Sequence, residues 1–123
     1  MVVADRELRP KIIHSETHKV TTSEGCNNLY ITVGKHEDKV IEVFITMGKS
    51  GGCGGCQNAA LGISISEGLQ HGVPLDVYVS ALRGLRCPNP LMFPKEDRIL
   101  SCPDAVAQIL SLYLEGSSVD NKQ

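Results

Sequence analysis

The chain has 123 residues, 41% of them hydrophobic, and a net charge of -2. That length suits one domain around one core. The charge balance excludes the basic footprint that nucleic acid or an acidic membrane surface requires, and no apolar run approaches the roughly 20 residues of a bilayer span. The start, Met1 to Lys11, lacks the apolar core of about 7–15 residues that a signal peptide carries, so the expectation is a soluble, cytoplasmic protein. Trp is absent and aromatics are 4%, so the core must be mostly aliphatic.

Residues 1–10 are polar and mixed in charge, and read as a flexible arm. Thr17 to Thr22 is a short β-favouring run. Leu29, Ile31 and Val33 alternate with Tyr30 and Thr32, and Ile41, Val43, Ile45 and Met47 repeat the pattern, so each strand buries one face. Val40 and Phe44 belong to the opposite face. The polar stretch Gly34 to Asp38 between the runs predicts a hairpin with a loop of about five residues.

The period then changes. Leu61, Ile65 and Leu69 recur at every fourth position and predict a helix from about Gln57 to His71, stopped by Gly72 and Pro74. Gly62 and Gly68 inside it cost roughly 1 kcal/mol each against Ala, a cost that close packing would offset. A short second helix runs from about Leu75 to Arg83 and stops at Gly84. A Pro-rich segment without periodicity follows; its Met92 and Phe93 read either as a contact patch or as core. The third helix starts at Pro103-Asp104, where Pro in the first turn and an acid beside it suit a helix start. Val106, Ile109, Leu110, Tyr113 and Leu114 form its apolar stripe, and Gly116 ends it. Residues 116–123 read as a flexible tail. Strands first and helices after indicate an α+β domain over about residues 11–115, with a small antiparallel sheet of about three strands packed against about three helices.

Five cysteines are the outlying number. An odd count in an expected cytoplasmic chain argues against a disulfide framework and leaves metal binding, redox chemistry or burial. Each cysteine reads as lying in a loop or at an element end: Cys26 before the first hairpin strand, Cys53 and Cys56 around a Gly-Gly turn, Cys87 after the second helix and Cys102 before the third. Thiolates on turns are what a four-cysteine zinc site uses. Cys53-x2-Cys56 has the spacing of half such a site, whereas Cys87-x14-Cys102 lacks the tight second half. An iron–sulfur cluster uses the same ligand type on similar turns. Cys53 and Cys56 before a helix also suit a redox dithiol, although a hairpin precedes them instead of a βαβ strand.

Other motifs fail. Gly48-Lys49-Ser50 lacks the earlier glycine of a P-loop, because that position is Val43 in a strand. His36 and His71 read as solvated. His14 and His18 lie on or near the first strand with no zinc-type His spacing. No carboxylate pair and no Ser/His/Asp arrangement stands out, and the runs Glu37 to Lys39 and Lys95 to Arg98 read as solvated turns.

The stretches "RPKIIHSETHKV", "GCNNLYITV", "EVFITMGKSGGC", "ALRGLRCPNP" and "LSCPDAVAQIL", in this order over about residues 9–114, resemble the TSCPD domain family. That module occurs on adenosylcobalamin-dependent, class II ribonucleotide reductases and as small free-standing proteins. Carried over position by position, the resemblance implies a metal set of Cys26, Cys53, Cys87 and Cys102, with Cys56 as a spare thiol or redox partner. One position departs, with Leu100 where Thr is usual; it lies outside the thiols. The resemblance implies a zinc-binding accessory or interaction module, with a reductase subunit as a possible partner, and not an enzyme on its own. The chain has no room for the reductase barrel or a cobalamin site. An iron–sulfur protein on the same cysteines, and a thiol-redox protein using Cys53 and Cys56, are the alternatives.

Overall fold

The computed structural model describes residues 9–22, 28–48, 52–88, 90–92 and 98–114. Three strands, β1 (His14–Thr21), β2 (Asn28–His36) and β3 (Lys39–Met47), form one antiparallel sheet in the order β1-β2-β3. Three helices follow: α1 (Gly52–Gln70), α2 (Leu75–Leu82) and α3 (Cys102–Ser111). The expected α+β architecture is present. Leu29, Ile31, Val33, Val43 and Ile45 of the sheet meet Ile65 and Leu69 of α1 and Val106 and Leu110 of α3 in a single aliphatic core.

The hairpin departs from the expected loop. β2 runs to His36 and β3 starts at Lys39, so the connection is the two residues Glu37 and Asp38, with φ of 53° and 64°. Positive φ at both central residues is what a type I′ turn demands, because its twist matches that of the strands. Glycine is the usual occupant, so the polar residues marked a hairpin here but not that its connection is two residues. The register also slips: Gly34 faces Glu42 while Lys35 faces Val40, which leaves Ile41 as an extra residue. This bulge moves Val40 onto the helix side, where it joins the core. Strict alternation had assigned Val40 to the far face, and a one-residue insertion is what alternation cannot see. Phe44 does point outward and is exposed.

α1 begins about five residues earlier than its apolar period suggests, at Gly52. It lies along the open edge of β3. The Ser66 hydroxyl accepts from the Val43 N–H at 2.8 Å and donates to the Val43 carbonyl at 3.0 Å, and the Gln70 amide donates to the Ile41 carbonyl at 3.1 Å. Side chains of a helix thereby occupy bonding positions that a fourth strand would take, which closes an edge otherwise open to pairing. Such an approach needs Gly62: a Cβ there would stand 3.0 Å from the Val43 carbonyl oxygen and 3.3 Å from the Ile45 nitrogen. Gly68 makes room for the Tyr78 hydroxyl of α2. The expected packing role of both helix glycines is met. Gly72 (φ 95°) and Gly84 (φ 89°) end α1 and α2.

The buried Glu42 accepts from Arg9 Nε at 2.7 Å and Nη2 at 3.2 Å, so the end of the expected arm is fastened to the sheet. The rest of that arm, 1–8, and the expected tail lie outside the described residues, as does Phe93; Met92 is half-buried.

Candidate functional site

Cys26 lies outside the described residues; the other four cysteines are reduced thiols. Cys53 and Cys56 do not flank a turn. They lie in the first turns of α1, three residues apart and hence neighbours on one face, and both are exposed. The sequence misread this stretch because helical glycines carry no period and resemble turn glycines. Gly54 abuts β3, with its Cβ position 3.3 Å from Met47 Sδ. The buried Asn58 donates to the Gly54 carbonyl at 3.0 Å, fixing that turn from inside.

Cys102 is the first residue of α3, and its side chain is buried in the core. Cys87 is half-buried, and its N–H donates to the Leu100 carbonyl at 2.9 Å. The two segments are joined by a compact polar clamp. Ser101 caps α3 by accepting from the Asp104 N–H at 3.1 Å, and its hydroxyl donates to the Leu85 carbonyl at 2.6 Å. Asp104 is only 2% exposed. Its carboxylate accepts from the Gly84 N–H at 2.8 Å, the Leu100 N–H at 3.0 Å and Gln108 Nε2 at 2.8 Å. Sequence reading saw Asp104 only as a helix-start residue. The spacing Ser101-x-x-Asp104 is the capping-box pattern and was the available signal.

The helices bring these thiols toward one end of the domain. α1 runs antiparallel to β3: Gly54 sits at Met47, Ser66 at Val43 and Gln70 at Ile41. It therefore starts away from the hairpin turn and ends near it. α3 does the same. Tyr113, just past its end, donates to the Glu16 carboxylate and shares a 2.6 Å hydrogen bond with His18 Nε2, while Lys35 Nζ stands 5.9 Å from its ring centroid. Burial and the Glu16 carboxylate push the Tyr113 phenol well above its ordinary pKa. His18 is thus a structural partner of α3; the sequence gave no hint of this tie, which spans 95 residues. Cys53, Cys56, Cys87 and Cys102 all lie on the side away from this latch. Cys53 and Cys56 share a face of α1, whereas the segments of Cys87 and Cys102 are linked through the backbone bond of Cys87 to Leu100. Among the described residues, no three His, Cys, Asp or Glu side chains form a group that could hold a metal ion. Thiol-only ligands suit zinc, so the donor chemistry fits. A cleft of about 370 Å³ lined by His14, Glu16, Val33, Lys35, Glu37 and Asp38 lies at the hairpin end and includes none of the cysteines. No helix among the described residues is long and apolar enough to cross a membrane.

The TSCPD domain model matches residues 4–114. The chain belongs to the TSCPD family. Similar curated proteins are vitamin B12-dependent ribonucleotide reductases: one from Bradyrhizobium diazoefficiens, 35% identical over 82 residues (66% of this chain, 6% of the relative), and one from Agrobacterium fabrum, 37% identical over 81 residues (65% and 6%). A third, from Streptantibioticus cattleyicolor, is 39% identical over 79 residues (63% and 12%). The chain thus spans 6–12% of the length of these relatives and corresponds to one module of them. No solved structure matches it.

Proposed function

We propose that this TSCPD module is an accessory or interaction module that binds zinc through Cys26, Cys53, Cys87 and Cys102 and acts with a ribonucleotide reductase subunit. The observation that supports the metal reading is the shared orientation of α1 and α3, whose starts bring cysteines from three segments to the side away from the hairpin. Zinc there supplies no reaction. It ties the start of α1 to the clamp and contributes folding free energy directly. The names of the relatives support the reductase connection. The proposed setting is the cytoplasm, where thiols stay reduced. Elemental analysis of freshly purified, tag-free protein tests the reading, with about one zinc per chain expected. Cys102→Ser should lower metal content and thermal stability together; a stable, metal-replete variant would refute the site. Iron in place of zinc would give the same thiols an iron–sulfur role.

A second reading has its own observation. Cys53 and Cys56 are both exposed and share a helix face, which suits a dithiol that exchanges with a partner's disulfide. This reading expects two fast-reacting thiols, reversible oxidation and no metal. Redox behaviour that survives Cys56→Ala intact would remove it.

A further inference from the structure

We propose that Asp104 is the positioning residue of the Cys87 and Cys102 thiols. The zinc part of this statement rests on the metal reading above; the thiol part does not. The two cysteines come from segments 15 residues apart in sequence, and neither shares an element with the other. What joins their backbones is a small number of hydrogen bonds. Asp104 accepts from Gly84, three residues before Cys87, and from Leu100, two residues before Cys102. One buried carboxylate thus fastens both cysteine segments. The Leu100 carbonyl in turn accepts from the Cys87 N–H, so Asp104 and Cys87 hold opposite sides of the same residue. Gln108 orients the carboxylate from one helical turn further on.

The chemistry requires an acceptor on both oxygens. Oδ1 takes the Gly84 N–H and Oδ2 takes the Leu100 N–H and the Gln108 amide. An asparagine of the same shape must turn its NH2 toward at least one of these donors and lose that tie. The freed segment then no longer presents its thiol in a fixed place. Ligand-orienting partners of this kind commonly change metal affinity by about 10–100-fold.

The test uses the full-length chain with zinc(II) as the probe and compares wild type, Asp104→Asn and Gln108→Ala. Gln108→Ala removes the Gln108 bonds to the carboxylate and to the Arg98 carbonyl and keeps both Asp104 ties to the cysteine segments, so it controls for a perturbed α3 start. In metal-free protein, the alkylation rate of Cys87 is read against that of Cys53, an internal reference on the remote α1. Asp104→Asn should raise this ratio at least about fivefold, while Gln108→Ala leaves it within about twofold, because only the first change releases the segment that carries Cys87. Zinc affinity should fall at least about tenfold in Asp104→Asn alone. An unchanged Cys87 to Cys53 ratio in folded Asp104→Asn overturns the proposal, whatever zinc does. Absence of zinc binding in wild type removes the metal reading, and the ratio still decides the role of Asp104. Asp104→Glu, which keeps the charge and displaces it by one methylene, supplies the same ratio should the Asn variant not fold.

Discussion

Along the α1–β3 seam a helix meets a strand edge across a glycine; at the start of α3 a helix meets a loop across a carboxylate. The seam spreads its load. Gly62 lets the backbones approach, Ser66 and Gln70 satisfy the strand, and Ile65 and Leu69 bury apolar area beneath. The clamp concentrates its load on Asp104, with Ser101 and Gln108 beside it. The seam must be rigid because it closes a sheet edge. The clamp bears on two of the thiols, and a fastening made at a single residue is one whose state can alter their spacing.

If that contrast is correct, the largest single loss outside the apolar core comes from Asp104→Ala. It leaves the Gly84 and Leu100 N–H groups without their acceptor and leaves the Gln108 amide only the Arg98 carbonyl, and each unpaired donor costs about 1–3 kcal/mol. Water reaches part of this site, so the expected loss is about 3–4 kcal/mol rather than the full sum. Urea unfolding of the variant measures it. A loss under about 1 kcal/mol would mean that the clamp is shared more widely than its hydrogen bonds indicate.

The seam gives a paired prediction. Gly62→Ala gains about 1 kcal/mol of helix propensity but drives a methyl onto backbone atoms of β3, an overpacking that costs about 1–3 kcal/mol. The strand cannot retreat without breaking its pairing with β2, so the net expectation is a loss of about 1–2 kcal/mol. Gly55→Ala is the counterpart on the same helix. A Cβ there meets nothing within 4 Å, so the propensity gain stands alone and the variant should be more stable by up to about 1 kcal/mol. Equal effects of the two substitutions, read from chemical denaturation, would erase the distinction between seam and helix start.

The same contrast explains what was legible in the sequence. Alternation in β2 and the fourfold period of Leu61, Ile65 and Leu69 revealed the strands, α1 and the α+β order, because apolar burial imposes those periods. What alternation missed is local geometry carried by unexpected residues: acidic residues at positive φ in the hairpin turn, the bulge that turns Val40 inward, and glycines that are helical around Cys53 and Cys56. The candidate cysteines were legible as a list; of the expected placement in loops or at element ends, Cys87 and Cys102 keep theirs, whereas Cys53 and Cys56 lie within the first turns of α1. Its polar scaffold was not, because Asp104 bonds to Gly84 over 20 residues and Tyr113 to Glu16 over 97, and no periodicity encodes such pairs.

The smallest effect concerns the far end of α3, where Tyr113 latches onto β1 through Glu16 and His18. Tyr113→Phe keeps the ring and deletes the hydroxyl, at an expected cost under about 1 kcal/mol near neutrality, since the latch is partly solvated. Its signature lies in the pH dependence. The folded-state pKa of Tyr113 is raised, mainly by burial and then by Glu16. A group whose folded pKa is raised binds its proton more tightly in the native state. Its stabilisation is therefore complete below the unfolded tyrosine value of about 10 and is lost as pH rises above it. Wild type should lose stability above about pH 10 more steeply than Tyr113→Phe, and the two curves should run parallel below about pH 9. A variant with the same alkaline slope as wild type would show that the hydroxyl titrates as it does in the unfolded chain. The latch would then be a contact without coupling, and α3 would be held in register by its apolar stripe and by the Asp104 clamp at its start.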